Sequence, residues 1–336
     1  YSSYYATRNW EESRIRYIAW HPLCTRLAIA ALDDTIHVCH CSPNTPPTIL
    51  RGRNQKSISC LSWRPYAAFE LAVGSSIGVI LWKIDSNSIQ IKPSMTNALI
   101  LKDSHIDDMT WNNWGTILVT ASSFSGSISV WNCEQSKCEK VWCSSAGVNL
   151  VKWALNTHYL YTAAIEGIYK VWDTCSWTST KWSSNGVIQT ACWSPCGNHL
   201  IFATSNDPKV FTINMNVALG PTKSSTPLMG PTCLVDTTEI SLPNGDVCGG
   251  LVQNLQISPD GGLLTIMFKC TNYIAVCKMS ISCTVLRIYP SFLFCGLPGE
   301  QPACMDFQKV CKEGSLLTVG WSSARIQHLP IIQMWE

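Results

Sequence analysis

Apolar and polar positions along the chain repeat as a phrase. At 17 to 22 the sequence reads YIAWHP: apolar alternation runs into Trp, and a polar turn follows. A short apolar strand, a small-residue turn and a second alternating strand that often ends in Trp come next. The same order returns at CLSWRP (60 to 65), MTWNNWG (109 to 115), LVKWAL (150 to 155), ACWSPCG (191 to 197) and NLQISPDG (254 to 261), and in weaker form at CMDFQ (304 to 308). The residues that close the seven phrases, Trp20, Trp63, Trp111, Trp153, Trp193, Ile257 and Phe307, stand 43, 48, 42, 40, 64 and 50 residues apart. A period near forty holds four short strands, which is the spacing of propeller blades and not of helical solenoids. Within a unit the alternation has period two, as from Ile58 to Trp63, which argues half-buried strand over helix. The pattern predicts an all-β fold: a seven-bladed β-propeller of four-stranded antiparallel blades, read as one domain over 1–336.

The blades are expected in order. Blade one starts at Ile15 and ends in TIHVCHC (35 to 41); blade two holds LAVGSSIGVILW (71 to 82). Blades three (Ile106 to Asn132) and four (Val148 to Asp173) are the most regular, and blade five runs from Ile188 to Ile213. The period then breaks. Residues 214–250 form a long insertion whose first half is rich in Pro, Gly, Ser and Thr, a composition that favours disorder, and CLVDTTEI within it reads as an outer strand. Blade six spans Val252 to Lys278 and blade seven Pro302 to Pro330, joined by CGLPGEQPAC. Residues 1–14 have no place in the repeat. Either they or IIQMW (331 to 335) should supply the outer strand of the last blade.

Composition narrows the function classes. Hydrophobic residues make up 46% of the 336 and charged residues 14%, against roughly 25% charged in an average soluble domain. Such a surface of Ser, Thr and Asn suits a chain built into an assembly. A net charge of +2 argues against a strongly basic groove for nucleic acid, so no direct nucleic-acid partner is expected. No apolar run approaches the ~18 residues a membrane helix needs, and no membrane insertion of the chain's own is expected. The chain opens without Met, so it is read as trimmed, and the lack of a leader pattern at its start carries no conclusion about targeting. Eighteen cysteines occur without a C-x-x-C pair or a glycosylation sequon, which points to a reducing compartment and to cysteine used as a small buried hydrophobe.

Three strings suggest chemistry and are better explained by structure. In TIHVCHC, His37, Cys39 and Cys41 share a strand face while His40 points away, and three donors fall short of the four a structural zinc takes. Gly74-x-Ser76-x-Gly78 satisfies the pattern of a hydrolase nucleophile elbow, but a strand follows where the elbow needs a helix. RGRNQK (51 to 56) reads as a solvated turn. The turns between blade strands (Asp33-Asp34, Ser75-Ser76, Ser125-Gly126, Glu166-Gly167, Asn206-Asp207) hold scattered acids without His or a repeated ligand pattern, which argues against an enzyme. No catalytic residue, cofactor or metal is expected.

Tryptophan is the remaining signal, with 15 copies. Trp20, Trp63, Trp111, Trp153, Trp193, Trp82, Trp131 and Trp172 occupy repeated structural positions. Trp142, Trp177 and Trp182 lie in segments that follow the third strands of blades three and four. These should be outer strands at the rim, where the three rings either pack between neighbouring blades or snorkel over the rim, or at least one of them belongs to a hydrophobic patch that binds a partner.

The strand endings Trp172-Asp173, Trp131-Asn132 and Trp82-Lys83 resemble the WD40 repeat. No Gly-His pair precedes a blade, and His105 stands too near its strand to serve the family's Asp, His and Trp network, so apolar packing is expected to carry the blades. The runs YIAWHPLCTRLAIAALDDTIHV, TACWSPCGNHLIF, CGLPGEQPA and LLTVGWSSARIQHLP resemble the propeller domain of the Aladin family of nucleoporins from about Asn9 onward. That resemblance implies a non-enzymatic scaffold of the nuclear pore complex at the nuclear envelope, held at the pore membrane through a transmembrane nucleoporin and supporting nucleocytoplasmic transport. The alternative is a generic WD40 adaptor in another complex, such as a ubiquitin-ligase substrate receptor.

Overall fold

The computed structural model describes residues 7–9, 13–40, 46–67, 69–84, 98–135, 137–219, 229–281, 285–311 and 314–332. It is a seven-bladed propeller of four-stranded antiparallel sheets. The first strands of the blades are Ile15–Trp20, Cys60–Trp63, Asp108–Trp111, Val148–Trp153, Ile188–Trp193, Val252–Ile257 and Pro302–Phe307, so every predicted phrase closes an inner strand.

The chain packs as two compact units. One holds blades one, two and seven with most of blade three; the other holds residues 125–128 and 141–302, which include blades four, five and six. In the first unit the fourth strand of blade seven is Thr7–Asn9, paired antiparallel with Arg325–Ile331 in the register Thr7 to Gln327. The start of the chain, not 331 to 335, completes the last blade. Residues 333–335 of that alternative lie outside the described residues.

The repeated tryptophans perform two tasks. Those that end first strands tie blades to their neighbours: Trp63 Nε1 donates to Ala19 O at 3.0 Å, Trp111 to Ser62 O at 3.4 Å and Trp193 to Lys152 O at 2.9 Å. Each acceptor immediately precedes the corresponding tryptophan of the blade before, so the phrase encodes an inter-blade hydrogen bond as well as a buried ring. Trp20 departs from this and donates to Thr318 Oγ1 at 2.9 Å. Trp153 is half-buried at its strand end. The tryptophans of third strands find partners within their own sheet: Trp131 donates to Thr120 and Trp172 to Thr162, at 3.3 and 3.0 Å. Trp82 donates to Gln55 Oε1 at 2.9 Å. The buried Gln55 also donates to Asp34 O at 2.7 Å, so part of RGRNQK is core and not solvated turn. These bonds add to the apolar packing on which the blades were expected to depend more, because a buried indole N–H without a partner costs more than the hydrogen bond returns, and Thr or Gln takes the place of His.

Apolar clusters fill the space between sheets. One gathers Ile58, Leu71, Ile80 and Trp82 with blade one residues; another gathers Tyr161, Tyr169, Trp182 and Phe202 between blades four and five. In the insertion, Thr232–Asp236 is the fourth strand of blade five, as expected, and a small hairpin of Ile240–Ser241 with Val247–Cys248 follows it. The composition-based reading of the insertion's first half falls largely on 220–228, outside the described residues. In blade six the third strand extends to Ile281, beyond the expected Lys278, and the fourth strand is Leu286–Cys295.

Candidate functional site

The side chains predicted to mark the rim do not share one fate. Trp142 ends the outer strand of blade three, Lys137–Trp142, and is 63% exposed. The Nζ of Lys170, on the third strand of blade four, lies 5.4 Å from the centre of its ring and 5.2 Å from that of Trp172. Trp177 occupies the turn before the outer strand of blade four, with φ of 52°, half-buried and tilted against Trp172 at 6.5 Å. Trp142, Lys170, Trp172 and Trp177 thus form a continuous row, with the ammonium between the first two indoles and the third against Trp172. Burial lowers the Lys170 pKa, and Lys181 adds to that lowering from the outer strand. A lysine between indole faces is held by the ring quadrupoles, and here no carboxylate is needed to fix it.

Trp182 is corrected out of this row. It is 5% exposed, stacks on Tyr169 with the planes 5° apart and 5.9 Å between centres, and donates its N–H to Met229 O at 3.2 Å. Register explains the difference: on Thr178–Ser183, Lys181 and Ser183 face outward, so Trp182 between them faces Tyr169, directly across the sheet.

The other strings behave as turns and core. Cys39 is buried in an apolar cluster with Trp20 and Ile29, and His37 Nε2 meets Thr35 Oγ1 at 3.3 Å; Cys41 and the His40 side chain lie outside the described residues. Ser75 Oγ donates to Gly78 O at 2.8 Å in a tight turn between Glu70–Ser75 and Gly78–Lys83. Gly78 has φ of +120°, and a Cβ there would meet Leu101 O at 2.2 Å, so the glycine belongs to the turn itself. One ligand-type trio converges among the described residues: the donor atoms of His158, Asp173 and Cys175 lie within 4.8 Å of one another. Backbone turn geometry accounts for it. Thr174 N donates to His158 O at 2.9 Å, and Cys175 N donates to Asp173 Oδ1 at 3.0 Å.

Sixteen cysteines lie among the described residues, six of them buried and seven exposed. The expectation of buried hydrophobes therefore holds for a minority. The buried ones are inert: burial pushes Cys277 up to about 11 and Cys304 up to about 12.

Sequence reasoning missed further exposed aromatic residues. Tyr66 and Trp114, on the turns after the first strands of blades two and three, stack at 6.2 Å, 69% and 73% exposed. The outer strand of blade six exposes Tyr289, Phe292 and Leu293. An apolar residue directly after the polar residues of each turn was the available signal for the first pair.

Comparison with known proteins fits this architecture. The Aladin seven-bladed propeller family matches residues 1–332. Aladin of Arabidopsis thaliana is 23% identical over 352 aligned positions, which take in 96% of this chain and 76% of that protein. With a match that spans nearly all of the seven blades just described, the chain belongs to the Aladin seven-bladed propeller family.

Proposed function

We propose that the chain is a non-enzymatic scaffold of the nuclear pore complex, held at the pore membrane of the nuclear envelope through a transmembrane nucleoporin and supporting nucleocytoplasmic transport. The family match over 1–332 carries this reading. Eighteen cysteines without a C-x-x-C pair, seven of the described ones exposed, support a reducing, cytoplasm- or nucleus-facing location. The surface that docks the chain to other nucleoporins is the row of Trp142, Lys170 and Trp177. It joins aromatic area of the kind enriched at interface centres to a cation whose pKa burial has already lowered.

The test is localisation of the full chain carrying Trp142→Ala or Trp177→Ala, with thermal stability measured on the same variants. Loss of the nuclear-rim signal at unchanged melting temperature supports the row as the docking surface. Retained rim signal in both variants removes it. A wild-type chain that never marks the nuclear rim, and is recovered in another multiprotein complex, replaces the pore reading with that of a general propeller adaptor.

A further inference from the structure

Among the described residues, every blade has an outer strand whose second edge is unpaired, and an unpaired edge is a template for another strand. In six blades that edge is short or charged. Thr48–Leu50 and Thr7–Asn9 have 3 residues each. Ala98–Lys102 and Thr232–Asp236 have 5 and end in a charge. Lys137–Trp142 carries Lys137, Glu139 and Lys140, and Thr178–Ser183 carries Lys181. Blade six differs. Leu286–Cys295 has 10 residues, and Arg287 is its one charge.

The edge has a defined usable part. Pairing with Tyr273–Ile281 shifts register between Val276 and Cys277, beside Pro290, and Pro290 has no N–H to offer. Beyond it, Ser291–Cys295 runs without proline or charge, with Phe292 opposite Val276, Leu293 opposite Ala275 and Phe294 opposite Ile274. Phe292 and Leu293, on opposite faces, are both exposed. An occupant of this edge must therefore be extended, to use the backbone groups, and apolar on both faces.

Charge settles which extended segment fits. On the other side of Pro290, Lys278 stands opposite Tyr289, and Arg287 stands opposite Ser280, so the two exposed cations share one sheet face. The two strands hold no carboxylate, and among the described residues none forms an ion pair with either cation. A second copy of this chain would bring another Arg287 and no acid to the seam. We propose that the outer edge of blade six takes up an extended segment of a partner protein as a fifth strand, apolar where it lies along Ser291–Cys295 and acidic where it passes Arg287 and Lys278. This stands independently of the blade four row.

The test uses the purified chain and a synthetic peptide of alternating valine and isoleucine, apolar on both faces, that ends in two glutamates. Two controls are the same peptide with lysine for glutamate, and the same peptide N-methylated at alternate amides, which blocks ladder hydrogen bonds and leaves side chains in place. Binding is read by fluorescence anisotropy, and the strand is located by hydrogen exchange. The expected result is binding of the glutamate peptide with slowed exchange at Ser291–Cys295. Affinity falls roughly tenfold or more for the lysine peptide and for Arg287→Glu, and binding is lost for the N-methylated peptide. Equal binding of the N-methylated peptide would show a side-chain patch without strand addition and overturn the proposal. So would equal binding of the lysine peptide, unchanged exchange at Ser291–Cys295, or protection there that grows with protein concentration alone, the mark of a second copy.

Discussion

The outer strands of blades four and six stand at the same place in their sheets and expose opposite things. Blade four turns Lys181 and Ser183 to solvent and its aromatic residue, Trp182, inward onto Tyr169. Blade six turns Tyr289, Phe292 and Leu293 to solvent and has one cation near its start. Aromatic content alone does not separate a docking edge from a packed one. What separates them is which face the alternation gives to the ring, and whether a charged side chain guards the backbone beside it.

The largest effect that sharpens this contrast is on stability. Trp182→Ala should cost about 3–5 kcal/mol, as for other large buried rings, whereas Phe292→Ala, 43% exposed, should cost less than about 1 kcal/mol. Chemical denaturation of both variants checks it, and equal losses would erase the distinction between the two strands. Next comes association. Moving the guard from one edge to the other, with Lys181→Val in blade four and Leu293→Lys in blade six, should raise light scattering on heating in the first variant and lower it in the second. An unchanged pair would mean that neither edge governs association.

The thiols extend the comparison to pH. Cys277 in blade six titrates at about 11 when folded, against an ordinary value of 9.0, because burial disfavours its thiolate. Between those values the native chain holds a proton that the unfolded chain has released, so this contribution to stability is complete below pH 9 and is lost as pH rises through 11. Exposed Cys295 in blade six and exposed Cys175 in blade four should react with a maleimide at pH 8 well before Cys277 does, and mass mapping of the labelled sites reads the order. A smaller effect belongs to blade four. Lys170→Met keeps most of the stem and removes the charge between Trp142 and Trp172, so the loss should be about 0.5–1 kcal/mol, read from the melting temperature. The smallest is none at all: chelators should leave the melting temperature unchanged, because the His158, Asp173 and Cys175 trio is held by turn hydrogen bonds. One zinc per chain by elemental analysis, lost in Cys175→Ser, would reverse that, and zinc lost in Cys39→Ser would revive the blade one site.

Five blades were legible from a tryptophan that ends the first strand, which in three of them makes an inter-blade hydrogen bond, and the other two from the order of strand and turn around Ile257 and Phe307. The outer strands were harder. Thr7–Asn9 is too short to show a period, and Leu286–Cys295 carries Pro290 in the middle of an apolar run. The inward turn of Trp182 was readable in principle from Lys181 and Ser183 on either side of it. The exposure of Trp142 was not, since Lys140, Val141 and Cys143 around it give no clean alternation. The third-strand tryptophans concealed their partners for another reason: Thr120 and Thr162 are ordinary strand residues until the indole N–H is seen above them.

The three residues Thr7–Asn9 also set an order of events. The strand they pair with, Arg325–Ile331, is made some three hundred residues after them. At about 5–20 residues per second, that interval amounts to tens of seconds. Through it blades one to six can each complete themselves in turn, while blade seven waits for both ends of the chain. A nascent chain stalled before Arg325 would therefore keep Thr7–Asn9 unpaired however well the middle had folded, and quality-control factors that bind exposed strands would find their target in a segment hundreds of residues before the stall.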